Sequence, residues 1–68
     1  MSAPFQTERH GRSGAAQRLR QLGAVEKAEY RKPGESIYFS GAANVWVLVR
    51  QEAGGYLFEF HRACPCSG

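Results

Sequence analysis

The sequence predicts an α+β fold, a short N-terminal helix packed on a three- or four-stranded antiparallel β-meander. Three observations carry this. Two apolar runs, residues 45–49 and 56–60, flank Gly54-Gly55 and read as a β-hairpin. Upstream, Ala15, Leu19 and Leu22 recur at helical spacing between a serine and a glycine. Between the two lies a short alternating run bounded by Pro33-Gly34 and Gly41.

Taken in chain order, residues 1–12 are polar, aperiodic and contain glycine and proline, which predicts a flexible basic arm ahead of a single domain over residues 13–62. Ser13 is placed to cap a helix over residues 14–22, where Gln17, Arg18, Arg20 and Gln21 are good helix formers and Gly23 stands where a C-terminal cap is wanted. Residues 24–32 fit either a helical continuation or an edge strand. Gly23 before them and Lys32-Pro33-Gly34-Glu35 after them favour a strand that ends in a type II turn. A strand over residues 36–40 then puts Ile37 and Phe39 on one face and Tyr38 on the other, and residues 41–44 form a loop into the hairpin.

Within the hairpin, Val45, Val47 and Val49 share one face and Trp46 and Leu48 the other. A two-residue turn at Ala53-Gly54 pairs Val49 with Phe58 and Val47 with Phe60. A three-residue turn at Glu52-Ala53-Gly54, with Gly54 left-handed in a bulge, pairs Trp46 with Phe60 and Leu48 with Phe58 instead. The pattern allows both. In either register each face carries several apolar side chains, where a half-exposed strand shows clean apolar-polar alternation. Two covered faces are therefore expected.

A chain of 68 residues is one domain of a size that is marginally stable without help. Cys64 and Cys66, separated by one proline, cannot staple distant segments together. Association through the sheet is the expected form of help. With no long apolar run and no apolar stretch near the N-terminus, the chain reads as a soluble cytoplasmic protein with no membrane partner. The formal charge of +3 is uneven: residues 1–32 net +4 and residues 33–68 net −1.

His61, Cys64 and Cys66 form the one local group of soft ligands, one short of a closed zinc site, so no metal and no other cofactor is expected. Cys64-Pro65-Cys66-Ser67-Gly68 resembles the opening of the SEC-C zinc motif. The likeness spans those five residues, lacks a further glycine and stops before the second ligand pair, so the zinc site it implies is incomplete here. The chain has no aspartate, and its glutamates show no spacing that suits paired acid-base work, so catalysis is not expected. The tail, residues 63–68, reads as a simple terminus.

Two functional readings follow. The first is a non-enzymatic regulatory, adaptor or inhibitor protein, of the compact format common in bacteria and their mobile elements. It acts through protein contact or homo-oligomer formation, with Tyr38, Trp46, Leu48 and Leu57 as the contact residues. The alternative is a nucleic-acid-binding regulator whose Arg9, Arg12, Arg18 and Arg20 meet phosphates.

Overall fold

The structure, a computed structural model, describes residues 3–63. One helix packs against a single antiparallel sheet of five strands. In chain order these are β1 (Gln6–His10), α1 (Arg12–Leu22), β2 (Val25–Glu26), a 3₁₀ turn (Ala28–Tyr30), β3 (Glu35–Ser40), β4 (Val45–Glu52) and β5 (Gly55–Arg62). The spatial order is β1-β5-β4-β3-β2. The meander β2 to β5 is thus extended by the N-terminal strand, which crosses to the far edge and lies against the last one.

That strand corrects the expectation of a flexible arm. Residues 6–10 pair along their whole length with β5, from Gln6 opposite Phe60 to His10 opposite Tyr56. The strand is hard to see in the sequence because an edge strand is polar and charged on both faces, which also protects the sheet edge from pairing with other chains. Phe5, just before it, packs near Phe60 at 6.4 Å and lies under the Arg62 guanidinium at 4.9 Å.

Only Gly11 separates β1 from α1, so the helix starts as soon as the strand ends. Its N-cap is Gly11, extended and without a side-chain capping bond, and Ser13 lies inside the first turn. At the other end Gly23 adopts the left-handed conformation expected of a C-terminal cap, at φ 64°. Ser40, fully buried, ties this end to the sheet: its Oγ donates to the Leu22 carbonyl at 2.7 Å and accepts from the Ala43 N–H at 3.2 Å.

The segment 24–32 is neither one strand nor a helix. Val25 and Glu26 pair with Phe39 and Tyr38, and the chain then leaves the edge through the 3₁₀ turn. The reversal into β3 runs through Pro33 and Gly34, with Gly34 at φ 74° and the Glu35 N–H bonded to the Lys32 carbonyl, as a type II turn requires.

At the main hairpin the structure selects the two-residue turn. Glu52 faces Gly55, Val49 faces Phe58 and Val47 faces Phe60. The two glycines do different work there. Gly54 takes the left-handed turn position at φ 85°, whereas a Cβ on Gly55 would lie 2.5 Å from the His10 carbonyl oxygen. Gly55 is needed for the close approach of β1, not for the turn.

This register makes Val45, Val47, Val49, Phe58 and Phe60 the buried core, with Ala15 of α1 on top and Leu19, Leu22, Tyr38 and Tyr56 packed around it. The helix begins beside His10 on β1 and ends at Ser40 on β3, so it crosses its face of the sheet on a diagonal. Among the described residues the other face receives no helix.

Candidate functional site

Strand alternation and register fix what lies on the open face. One cross-strand row reads Val25, Phe39, Trp46 and His61; the next Ile37, Leu48, Glu59 and Thr7; the third Glu35, Arg50, Leu57 and Arg9. The face therefore divides into an apolar corner over β2, β3 and the first half of β4 and a charged remainder. In the corner, Phe39 packs on Trp46 at 5.0 Å. Tyr30, carried over by the 3₁₀ turn, stands edge-on to the same indole at 6.2 Å. Tyr30 and Val25 remain 55% and 61% exposed, and Ile37, Phe39, Trp46 and Leu48 are half-buried. Tyr30, Ile37, Trp46, Leu48 and His61 enclose a depression of about 380 Å³ whose walls are almost wholly apolar.

The charged remainder is internally paired. Arg50 bonds Glu35 at 3.1 Å and Glu59 at 3.3 Å, spanning three strands, and these two carboxylates raise the Arg50 pKa further above its ordinary value. Arg9 pairs with Glu52 at the same end. Such a face presents an apolar patch bordered by ion pairs that already have their partners.

Three of the four contact residues expected from the sequence share this face, but they are not one cluster. Trp46 and Leu48 belong to the apolar corner. Leu57 stands opposite Arg50 in the charged row, diagonal to Leu48. Tyr38 is on the opposite face, paired with Val47 beneath the helix side of the sheet. Burial there raises the pKa of its hydroxyl, with the Glu26 carboxylate adding to the effect and Arg31 opposing it. The residues that join Trp46 in its place are Ile37 and Phe39. Their alternation with Tyr38 places them there once Phe39 is known to face Trp46. Tyr30 gives no such signal, since only the tertiary path of the 3₁₀ turn brings it over.

The arginines of the nucleic-acid reading do not converge. Arg9 is committed to Glu52, and Arg18 donates from Nε and an Nη to both oxygens of Glu8, at 2.9 and 3.0 Å, while covering the Phe60 ring at 5.7 Å. Gln6 and His10 complete the set around Glu8 at 2.6 and 2.8 Å. The Arg18 bonds above all hold the Glu8 carboxyl at about 2, against its burial. Arg12 and Arg20 are exposed on α1. Of the soft ligands, His61 lies in the first row of the open face, 4.0 Å from Glu59; Cys64 and Cys66 lie outside the described residues. Among the described residues no group of three metal-ligating side chains forms. No described helix is long and apolar enough to cross a membrane. No family model, curated protein or solved structure matches the chain.

Proposed function

We propose that this is a non-enzymatic regulatory, adaptor or inhibitor protein that works by protein contact through the apolar corner of its open sheet face, with self-association as one form of that contact. The observation that carries the reading is the corner itself. Tyr30, Ile37, Trp46 and Leu48 line one concave apolar surface, backed by Phe39 against Trp46 and bordered by paired charges. Interfaces have this anatomy, an apolar centre rich in aromatics inside a polar rim.

Magnitudes set what kind of contact to expect. Covering the remaining exposed area of these half-buried side chains gains roughly 1 kcal/mol each, about 5 in all. Association costs on the order of 4 to 15 kcal/mol. A second copy offering only the same patch doubles the gain to about 10 kcal/mol, which exceeds only the lower association costs, so it binds weakly, with a Kd on the order of tens of micromolar at best. A partner that fills the depression with a protruding side chain binds more tightly.

The test is sedimentation velocity of the purified protein across about three decades of concentration. Reversible dimer formation is expected at the upper end. Leu48→Lys, which sets a cation opposite Glu59, should abolish it with the thermal midpoint nearly kept. Dimers that persist unchanged in Leu48→Lys would remove the open face from the reading. Tight, steeply salt-dependent binding of a random single-stranded oligonucleotide would favour the nucleic-acid alternative.

A further inference from the structure

Because α1 crosses its face of the sheet on a diagonal, it leaves one corner of that face bare. Between the helix and this corner, where β3 begins and β4 ends, lies a cleft of about 440 Å³. That volume is within the range of small-molecule sites, on the order of 300–1,000 Å³. Leu19 and Val49 supply an apolar floor, and Tyr38 and Tyr56 line it beside them. Arg12 enters from the helix and Arg31 from the connection between the 3₁₀ turn and β3.

The charges differ from those on the open face. There, Arg50 and Arg9 each have a carboxylate. Here, among the described residues, neither Arg12 nor Arg31 has an ion-pair partner. The carboxylate at the cleft's margin, Glu35, accepts from Arg50. Glu26, the cross-strand neighbour of Tyr38, is not part of the lining. Two uncommitted guanidiniums over an apolar and aromatic floor match a particular ligand chemistry: a flat apolar body carrying one oxyanion group.

We infer that this cleft binds a small aromatic anion, its ring system against Leu19, Val49 and the two tyrosines and its carboxylate or phosphate held by Arg12 and Arg31. Guanidinium groups grip such oxyanions by charge-assisted, often bidentate, hydrogen bonds, which a neutral analogue of the same shape cannot reproduce. The site is separate from the open face, and it stands or falls independently of the proposed protein contact.

The test uses naphthoate, naphthyl phosphate and neutral naphthamide as probes, titrated into the full-length protein and followed by two-dimensional NMR. At least one of the two anions should bind about tenfold or more tightly than the amide. Shifts should centre on Tyr38, Tyr56 and Leu19, and the anion that binds better identifies the oxyanion. The double variant Arg12→Gln, Arg31→Gln alters two exposed side chains and should fold normally, yet bind anion and amide alike. Several results would overturn the inference: no saturable binding of either anion, equal affinity for the amide, shifts centred on Trp46, or full anion preference in the double variant. If the double variant fails to fold, the single substitutions are titrated, and each should lose part of the preference.

Discussion

Glu8 is the carboxylate on which the packing of β1 against α1 turns, and its replacement by glutamine gives the sharpest check on the fold. Arg18 bonds both of its oxygens, and Gln6 and His10 add one contact each. The carboxyl is held at about 2 rather than near its ordinary 4.5. Taken at face value that difference is worth ~3 kcal/mol of folding stability. The side chains of Arg18 and Glu8 keep 29% and 22% of their exposure, so water screens part of it, and about 1–2 kcal/mol is the expected net. The sign is that of a carboxylate favoured by folding. Its contribution is whole above the unfolded value, shrinks as the unfolded chain takes up a proton first, and is gone near pH 2.

Thermal unfolding of wild type and Glu8→Gln from pH 7 to pH 2 is the assay. At pH 7 the variant should melt about 5–10 °C lower. The gap should be constant down to about pH 5 and close progressively below that. Every other glutamate is present in both proteins, so the difference isolates Glu8. In an Arg18→Met background the gap should shrink, since the largest partner is gone. A gap of constant size down to pH 2, or none at pH 7, would show that the ion pair does not hold the strand to the helix.

Gly55→Ala should destabilise by about 1–3 kcal/mol, because the new methyl meets the His10 carbonyl oxygen; chemical denaturation reads this directly, and an unchanged midpoint would mean that β1 does not approach as described. Ser40→Ala removes the bonds to the Leu22 carbonyl and the Ala43 N–H and should cost about 1–2 kcal/mol, with faster amide exchange at the end of α1 as its local signature. Deleting residues 1–10 should unfold or aggregate the domain, since it strips one edge from β5 and removes Glu8; a truncated chain with wild-type stability would restore the flexible arm. Trp46→Ala should weaken any self-association by about tenfold or more in sedimentation, with a smaller loss of stability from the missing Tyr30 and Phe39 contacts.

Where the sequence carries a strong period it also carries the fold. The stripe Ala15, Leu19 and Leu22 gives the helix, the alternation of Val45, Val47 and Val49 gives the core strand, and Pro33-Gly34 gives the turn ahead of β3. What is illegible is set by tertiary contact. Gln6, Glu8 and His10 lie on the helix side of the sheet, yet as polar side chains they leave no apolar trace of a strand; the partial burial of Glu8 and His10 is made acceptable by their bond to each other and by Arg18. The hairpin register is undecided in the local pattern because both turns leave Gly55 at the start of β5, and Gly55 is seen to be a contact residue only when His10 lies beside it. Assigning Tyr38 to the face of Trp46 weighs aromatic character above strand parity, and the observed pairing of Tyr38 with Val47 shows that parity decides.

Both candidate surfaces come from one geometric shortfall. The longest strands have eight residues, so the sheet extends about 26 Å along them and about 19 Å across its five strands, an area on the order of 500 Å² per face. The helix has eleven residues, which makes it ~16 Å long and ~10 Å wide. Laid on a diagonal it covers roughly a third of one face and none of the other. The first remainder becomes the cleft between Arg12 and Arg31, and the second the corner around Trp46. Lengthening the helix is no remedy, since Gly23 and Ser40 stop it beside the end of β3. A domain of this size can keep such exposed aromatics without aggregating only if its charges stand close by, and the Glu35-Arg50-Glu59 set crosses three strands directly beside the apolar corner. The same set limits what can dock there to a surface that is apolar opposite Trp46 and polar opposite Arg50.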